Sequence, residues 1–185
     1  MVRASLDAAA DRTAVPIAVA HDALVLLVGP SGSGKSTFAA GYFPPEAVLS
    51  SDAFRSRLAG DPADQSATDE AFSALHAAAE VRLGQGLLTV VDATNLRFEA
   101  RDPLMAMAWR HGRPAAAIIF MLPLQQCLDR NDARPGRRIP ARAVRAQYRL
   151  LRRAVAEVVN EGFSAVYQLR SVAAIESASV RIDAP

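Results

Sequence analysis

The stretch that most constrains this chain is Gly29-Pro30-Ser31-Gly32-Ser33-Gly34-Lys35-Ser36-Thr37, which directly follows the apolar run Leu24-Val25-Leu26-Leu27-Val28. It fits the pattern G-x-x-x-x-G-K-[ST] in the context that pattern requires, a strand before it and a helix after it. Glycines let successive backbone N–H groups turn inward and approach a phosphate closely, and the positive end of the following helix adds to the same field. The expected cradle for a nucleoside triphosphate is therefore Gly29, Ser31, Gly32, Ser33, Gly34, Lys35, Ser36 and Thr37. Lys35 would reach the β and γ phosphates as a point charge, while the Ser36 hydroxyl would ligate Mg²⁺. Small-molecule kinases, nucleic-acid kinases and switch NTPases all use such a loop, so the second substrate has to be read elsewhere.

Apolar runs alternate with helical patterns along the 185 residues, which predicts an α/β fold with a mostly parallel sheet and helices on both faces. Five short strands are expected: 24–28, 47–50, 87–91, 117–121 and 165–169. A helix with Phe72, Leu75, Ala79 and Leu83 on one face is opened by Ser66 and Asp69 in capping spacing and closed by Gly84. Residues 98–109 read as another helix, with Met105 and Trp109 taken as core, as is Phe72. Pro123 starts a helix that should stop near Arg134, because Pro135 disfavours helical geometry in the residue before it. A loop over 135–140 and a helix over 141–160 follow. Residues 1–22 form an N-terminal extension, frayed over about its first 13 residues, with 15–20 able to add an edge strand. Residues 23–185 form one domain with a lid at about 130–140.

Composition narrows the class. The single cysteine, Cys127, excludes a disulfide scaffold and a cysteine-based zinc site. His21, His76 and His111 show no metal-ligand spacing. No apolar run reaches the roughly 18 residues of a membrane-spanning helix, and Asp7, Asp11 and Asp22 are unlike a secretory signal; the chain is expected in the cytoplasm. All but one of the 21 basic residues are arginine, Lys35 being the exception, and nine arginines stand against one acid, Asp132, between Arg130 and Arg153. That segment expects polyanionic company, the alternative being a solvated helix face.

Acceptor residues should lie beyond the carboxyl ends of the strands. The second strand ends at Asp52, where a carboxylate could take the proton of an attacking hydroxyl or merely cap the next helix. Arg55, three residues on, would fork onto a phosphate of the acceptor. Asp92, with Thr94 and Asn95 after the third strand, suits an outer-sphere role on Mg²⁺ through water, or a turn. Arg130 and Arg134, spaced i and i+4, would project from one helix face into the Pro-Gly-Arg-Arg loop and offset charge on a transferring phosphoryl group.

Together these residues resemble the P-loop kinase domain of bacterial polynucleotide kinase-phosphatases, related to the phage polynucleotide 5′-kinase, from Ala23 to about Tyr167. The matching stretches are GPSGSGKSTF (29–38), LSSDAFR (49–55), DQSATDEAF (64–72), LTVVDATN (88–95), Arg130-Asn131 with Arg134, and Gly162-Phe163. The resemblance implies a P-loop kinase fold with an arginine-rich lid, ATP as donor with Mg²⁺, and RNA or DNA 5′-hydroxyl ends as acceptors, as in nucleic-acid repair. It further implies Asp52 as general base, Arg55 as the clamp on the acceptor phosphate, and Arg130 and Arg134 as lid contacts to ATP. Arg137 or Arg138 would extend the basic lid. The family's phosphatase and end-joining modules have no counterpart here, so the chain would act alone or beside separate phosphatase or ligase proteins. Two alternatives stand beside this one: a kinase of a small hydroxylated metabolite or nucleoside, and a nucleic-acid-stimulated NTPase without phosphotransfer.

Overall fold

A computed structural model describes residues 15–59, 68–135 and 138–184. The frayed N-terminal piece before residue 15, Ser66 with the 64–67 part of the DQSATDEAF stretch, and Arg137 lie outside the described residues. In chain order the elements are β1 (Pro16–Val19), β2 (Leu24–Val28), α1 (Lys35–Tyr42), β3 (Val48–Ser50), α2 (Ser51–Ala59), α3 (Thr68–Gly84), β4 (Thr89–Asp92), α4 (Phe98–Arg110), β5 (Ala115–Phe120), α5 (Leu124–Asp132), α6 (Ala141–Val158), β6 (Ala165–Leu169), α7 (Val172–Glu176) and β7 (Ser179–Ile182).

Every side chain of β2 is fully buried, which requires cover on both faces of the sheet. Alternation along the strand sends Val25 and Leu27 to one face, with Phe38 of α1 and Leu128 of α5. Leu24, Leu26 and Val28 point to the other, against Leu75 of α3, Leu104 of α4 and Leu151 of α6. The five strands run in the order β3-β4-β2-β5-β6 and every neighbouring pair is parallel, as the apolar runs predict. The chain leaves β2 toward β3 and β4 on one side and returns to β5 and β6 on the other. The phosphate loop after β2 thus sits at the point where strand order reverses, the usual crevice for ligands in such sheets.

Several boundaries move for identifiable reasons. β4 starts at Thr89 because a turn at Gly86 (φ 69°) carries Leu87 with it, its N–H bonded to the Arg82 carbonyl. β5 starts two residues earlier than its Ile-Phe core suggests, since β2 pairs with Ala115 and Ala116 despite their modest strand preference. Residues 16–19 do not join the edge of the main sheet; β1 pairs in parallel with β7 in a separate two-stranded ribbon. Trp109, expected in the core, is half exposed and lies over Gly162, while Met105 is buried as expected. Among the described residues, no helix is long and apolar enough to cross a membrane.

Candidate active site

The loop after β2 closes tightly on its own backbone. Gly32 (φ 80°) and Gly34 (φ 97°) adopt left-handed conformations. A Cβ on Gly32 would fall 2.0 Å from the Cys127 carbonyl oxygen, so only glycine fits against α5. Gly34 precedes α1 without a side-chain cap, which leaves the first N–H groups of the helix facing a cleft of about 550 Å³. The loop is hung from its neighbour: the Gly29 N–H donates to the Thr94 carbonyl (2.9 Å), and the Asn95 side-chain amide donates to the Leu27 carbonyl (2.9 Å). Asn95 is the one non-glycine with positive φ (48°) among the described residues. Arg101, wholly buried, holds the Asn95 carbonyl (2.9 Å) and is itself neutralised by Glu161 and Glu157.

Lys35 is buried under this loop, its Nζ donating to the Pro30 carbonyl at 2.9 Å and lying 3.5 Å from Ser33 Oγ. Burial pushes its pKa down to about 8, against the attraction of Asp92 and Asp52. Asp92, at the end of β4, is raised above the usual carboxylate range by burial; a hydrogen bond from Ser36 and the charge of Lys35 oppose that rise. The residues expected at Mg²⁺ are therefore neighbours.

Across the cleft stand Asp52 and Arg55, both on α2. The Ser50 hydroxyl accepts from the Ala53 N–H (3.4 Å), so Ser50 takes the capping role that was open to Asp52. Asp52 is left in the first turn, its carboxylate hydrogen-bonded to Arg55 and 3.7 Å from the Arg134 guanidinium. Arg55 is buried at 8% exposure, and its Nε has no hydrogen-bond partner among the described residues. Arg130 and Arg134 line the opposite wall, although α5 stops at Asp132 and Arg134 emerges from the turn that follows. Arg138 is exposed beyond them. Phe72, expected as core, packs against the core and also lines the cleft.

Two residues here were given no role from the sequence. Asn131, buried inside the R-N-x-x-R stretch, brackets the lid by donating to the Ile139 carbonyl (2.8 Å) and accepting the Ile139 N–H (3.1 Å). Gln147 of α6 accepts the Ser31 N–H at 2.8 Å and so ties the helix after the lid to the phosphate loop. A polar residue on an amphipathic helix reads as solvent-facing until its neighbours are known. Among the described residues, no three His, Cys, Asp or Glu side chains converge as a metal cage.

Known proteins share the family and the fold of this chain. The AAA_33 family model, an AAA domain, matches residues 24–158. Transcription factor bHLH140 of Arabidopsis thaliana is 30% identical over 165 residues, 86% of this chain and 17% of that protein. Among solved structures, the AvrRxo1-ORF1:-ORF2 complex with ATP has a TM-score of 0.60 at 20% identity, covering 80% of this chain and 50% of that one. The Pnkp1/Rnl/Hen1 complex has a TM-score of 0.51 at 25% identity, covering 58% of this chain and 38% of that one. A gluconokinase from Sinorhizobium meliloti 1021 has a TM-score of 0.52 at 24% identity, covering 85% and 90%. The chain thus spans a small part of the curated relative and half or less of the first two structures.

Proposed function

The chain belongs to the AAA domain family and is a P-loop kinase-like domain; from that premise we propose that it is an ATP-dependent polynucleotide 5′-hydroxyl kinase, acting on RNA or DNA ends. The observation that carries the reading is the Asp52–Arg55 pair facing the phosphate loop, with the buried Arg55 Nε lacking an acceptor among the described residues. A 5′-hydroxyl beside Asp52 would have its proton accepted by the carboxylate, while a phosphate on the 3′ side of the same nucleoside would satisfy Arg55. The likeness to the Pnkp1-containing complex supports the same acceptor.

In the proposed reaction the acceptor oxygen forms a bond to the γ-phosphorus as the bond to the β–γ bridging oxygen breaks. The proton passes to Asp52 and the electron pair leaves with ADP. Lys35 and the amides from Gly32 to Thr37 hold the phosphates, and Gly29, Ser31 and Ser33 shape the turn that aims them. Arg130 and Arg134 offset charge that develops on the transferring group. Ser36 directly, and Asp92 through water, would hold a Mg²⁺ that neutralises phosphate oxygens. Their contact and hard oxygen chemistry fit that ion, which usually keeps several waters and needs no all-protein cage.

The test is transfer of labelled γ-phosphate to 5′-hydroxyl RNA and DNA oligonucleotides, with 5′-phosphorylated copies as controls. Label is expected on the 5′-hydroxyl strands alone. Asp52→Asn should lower transfer by about 10²- to 10⁴-fold, the range of a lost general base, with nucleotide binding nearly intact. No label on any strand would move the acceptor to a small hydroxylated molecule, which a cleft of this size also admits, or leave a nucleic-acid-stimulated NTPase. Full transfer by the Asp52 variant would remove the base assignment.

A further inference from the structure

The arginines of α6 are not used by the chemistry above. Arg142, Arg145, Arg149 and Arg152 are exposed, and each is three or four residues from the next. At about 100° per residue they fall within an arc of roughly 80°, on the side of the helix away from buried Val144, Leu151, Ala154 and Val158. None has a carboxylate within ion-pair reach among the described residues; the neighbouring Arg153 is taken by Glu157 (2.5 Å). From Arg142 to Arg152 the stripe runs ten residue steps, or about 15 Å of helix. It also holds no large apolar side chain, whereas a protein interface centres on aromatic and aliphatic anchors.

The stripe continues from the cleft. Arg130 and Arg134 line the cleft wall, Arg138 is exposed just before α6, and Arg142 follows at the first turn of the helix. Ala143 and Gln147 are the α6 residues that face the cleft, so the four arginines point away from the reacting end. A polyanion that reaches them from the cleft must be long enough to leave it. A strand laid along these roughly 15 Å brings more than one of its phosphates within reach of the arginines, whose charge is complementary to that backbone.

We infer that the outer face of α6 is a docking track for the phosphodiester backbone of the acceptor polynucleotide, engaging phosphates downstream of the end held at Asp52 and Arg55. This rests on the polynucleotide reading of the cleft. It makes acceptor length a determinant of affinity: a 5′-hydroxyl dinucleotide ends inside the cleft, whereas a 20-mer reaches the track.

The test replaces Arg142, Arg145, Arg149 and Arg152 together by Gln, a good helix former that keeps the helix while removing the charge. Binding of a fluorescent 5′-hydroxyl 20-mer RNA is measured from 0.05 to 0.3 M salt, separately from label transfer. The variant should bind the 20-mer at least about tenfold more weakly at low salt, and its log–log salt slope should fall by about 1 to 3, since each lost contact removes about 0.7. Its KM for the 20-mer should rise in step, with kcat and the KM for the dinucleotide unchanged. Unchanged 20-mer binding and slope, with transfer intact, would overturn the track and leave the kinase reading standing. Salt-steep binding lost in the variant, with no transfer by either protein, would keep the track and overturn the kinase reading. Polyglutamate displacing the RNA at equal charge would assign the face to an acidic protein and overturn the track.

Discussion

Lys35 offers a quantitative test of the nucleotide site that needs no acceptor. In the free protein its pKa falls from 10.5 to about 8, because burial desolvates the ammonium by more than Asp92, Asp52 and its loop contacts restore. At 1.36 kcal/mol per pKa unit, holding the charge there costs about 3 kcal/mol relative to the unfolded chain. The sign follows from proton counts. Between pH 8 and 10.5 the unfolded chain keeps a proton that the folded chain has lost, so stability of the nucleotide-free protein rises with pH across that window, and the full cost applies below pH 8. A triphosphate facing Nζ reverses the balance by favouring the charged form. Nucleotide binding should then take up roughly 0.1 proton at pH 7 and roughly 0.9 at pH 9, with affinity falling about tenfold per unit above pH 8. Titration calorimetry in two buffers of different ionisation enthalpy reads the uptake directly. An affinity flat from pH 7.5 to 9.5, or uptake at pH 9 no larger than at pH 7, would refute the placement of Lys35 against the phosphates.

Two further substitutions probe the frame around that site. Gly32→Ala combines a left-handed backbone with a Cβ 2.0 Å from the Cys127 carbonyl, so the loop must move off α5. Nucleotide affinity should fall at least about tenfold, measured by the same calorimetry, because the amides that follow lose their aim. Asn131→Ala strands the N–H and carbonyl of Ile139 in a buried position. At about 1–3 kcal/mol for each unsatisfied group, urea unfolding should report a loss of that order, and the Ile139 amide should exchange faster with solvent.

What could be read in advance divides along physical lines. The phosphate loop was legible because it is local: nine consecutive residues specify turn, charge and helix start. Asp52 and Asp92 were legible as positions at the carboxyl edge of the sheet, since parallel strands place every strand end on one side. Their surroundings were not legible, because each depends on a distant partner. Arg134 meets Asp52 from across the cleft, Gln147 reaches Ser31 over 116 residues, and Arg101 finds two glutamates near the end of α6. An arginine in a helical pattern reads as surface, and only the folded neighbours turn Arg101 into a buried strut. β7 was missed for a related reason. Ser179-Val180-Arg181-Ile182 is half exposed and short, and its partner is 163 residues away.

That partnership also sets the order in which the molecule must assemble. Closing a loop of 163 residues carries an entropic cost that grows with the logarithm of its length, and the pairing is repaid chiefly by the burial of Ile17 and Val19 against the core. The ribbon therefore becomes stable only once the central sheet exists to receive it. The latch is Tyr167 of β6, whose hydroxyl accepts the Ala18 N–H (3.1 Å) and donates to the Ala18 carbonyl (2.9 Å). Hydrogen exchange should therefore show the amides of β1 and β7 exchanging before those of the central strand β2.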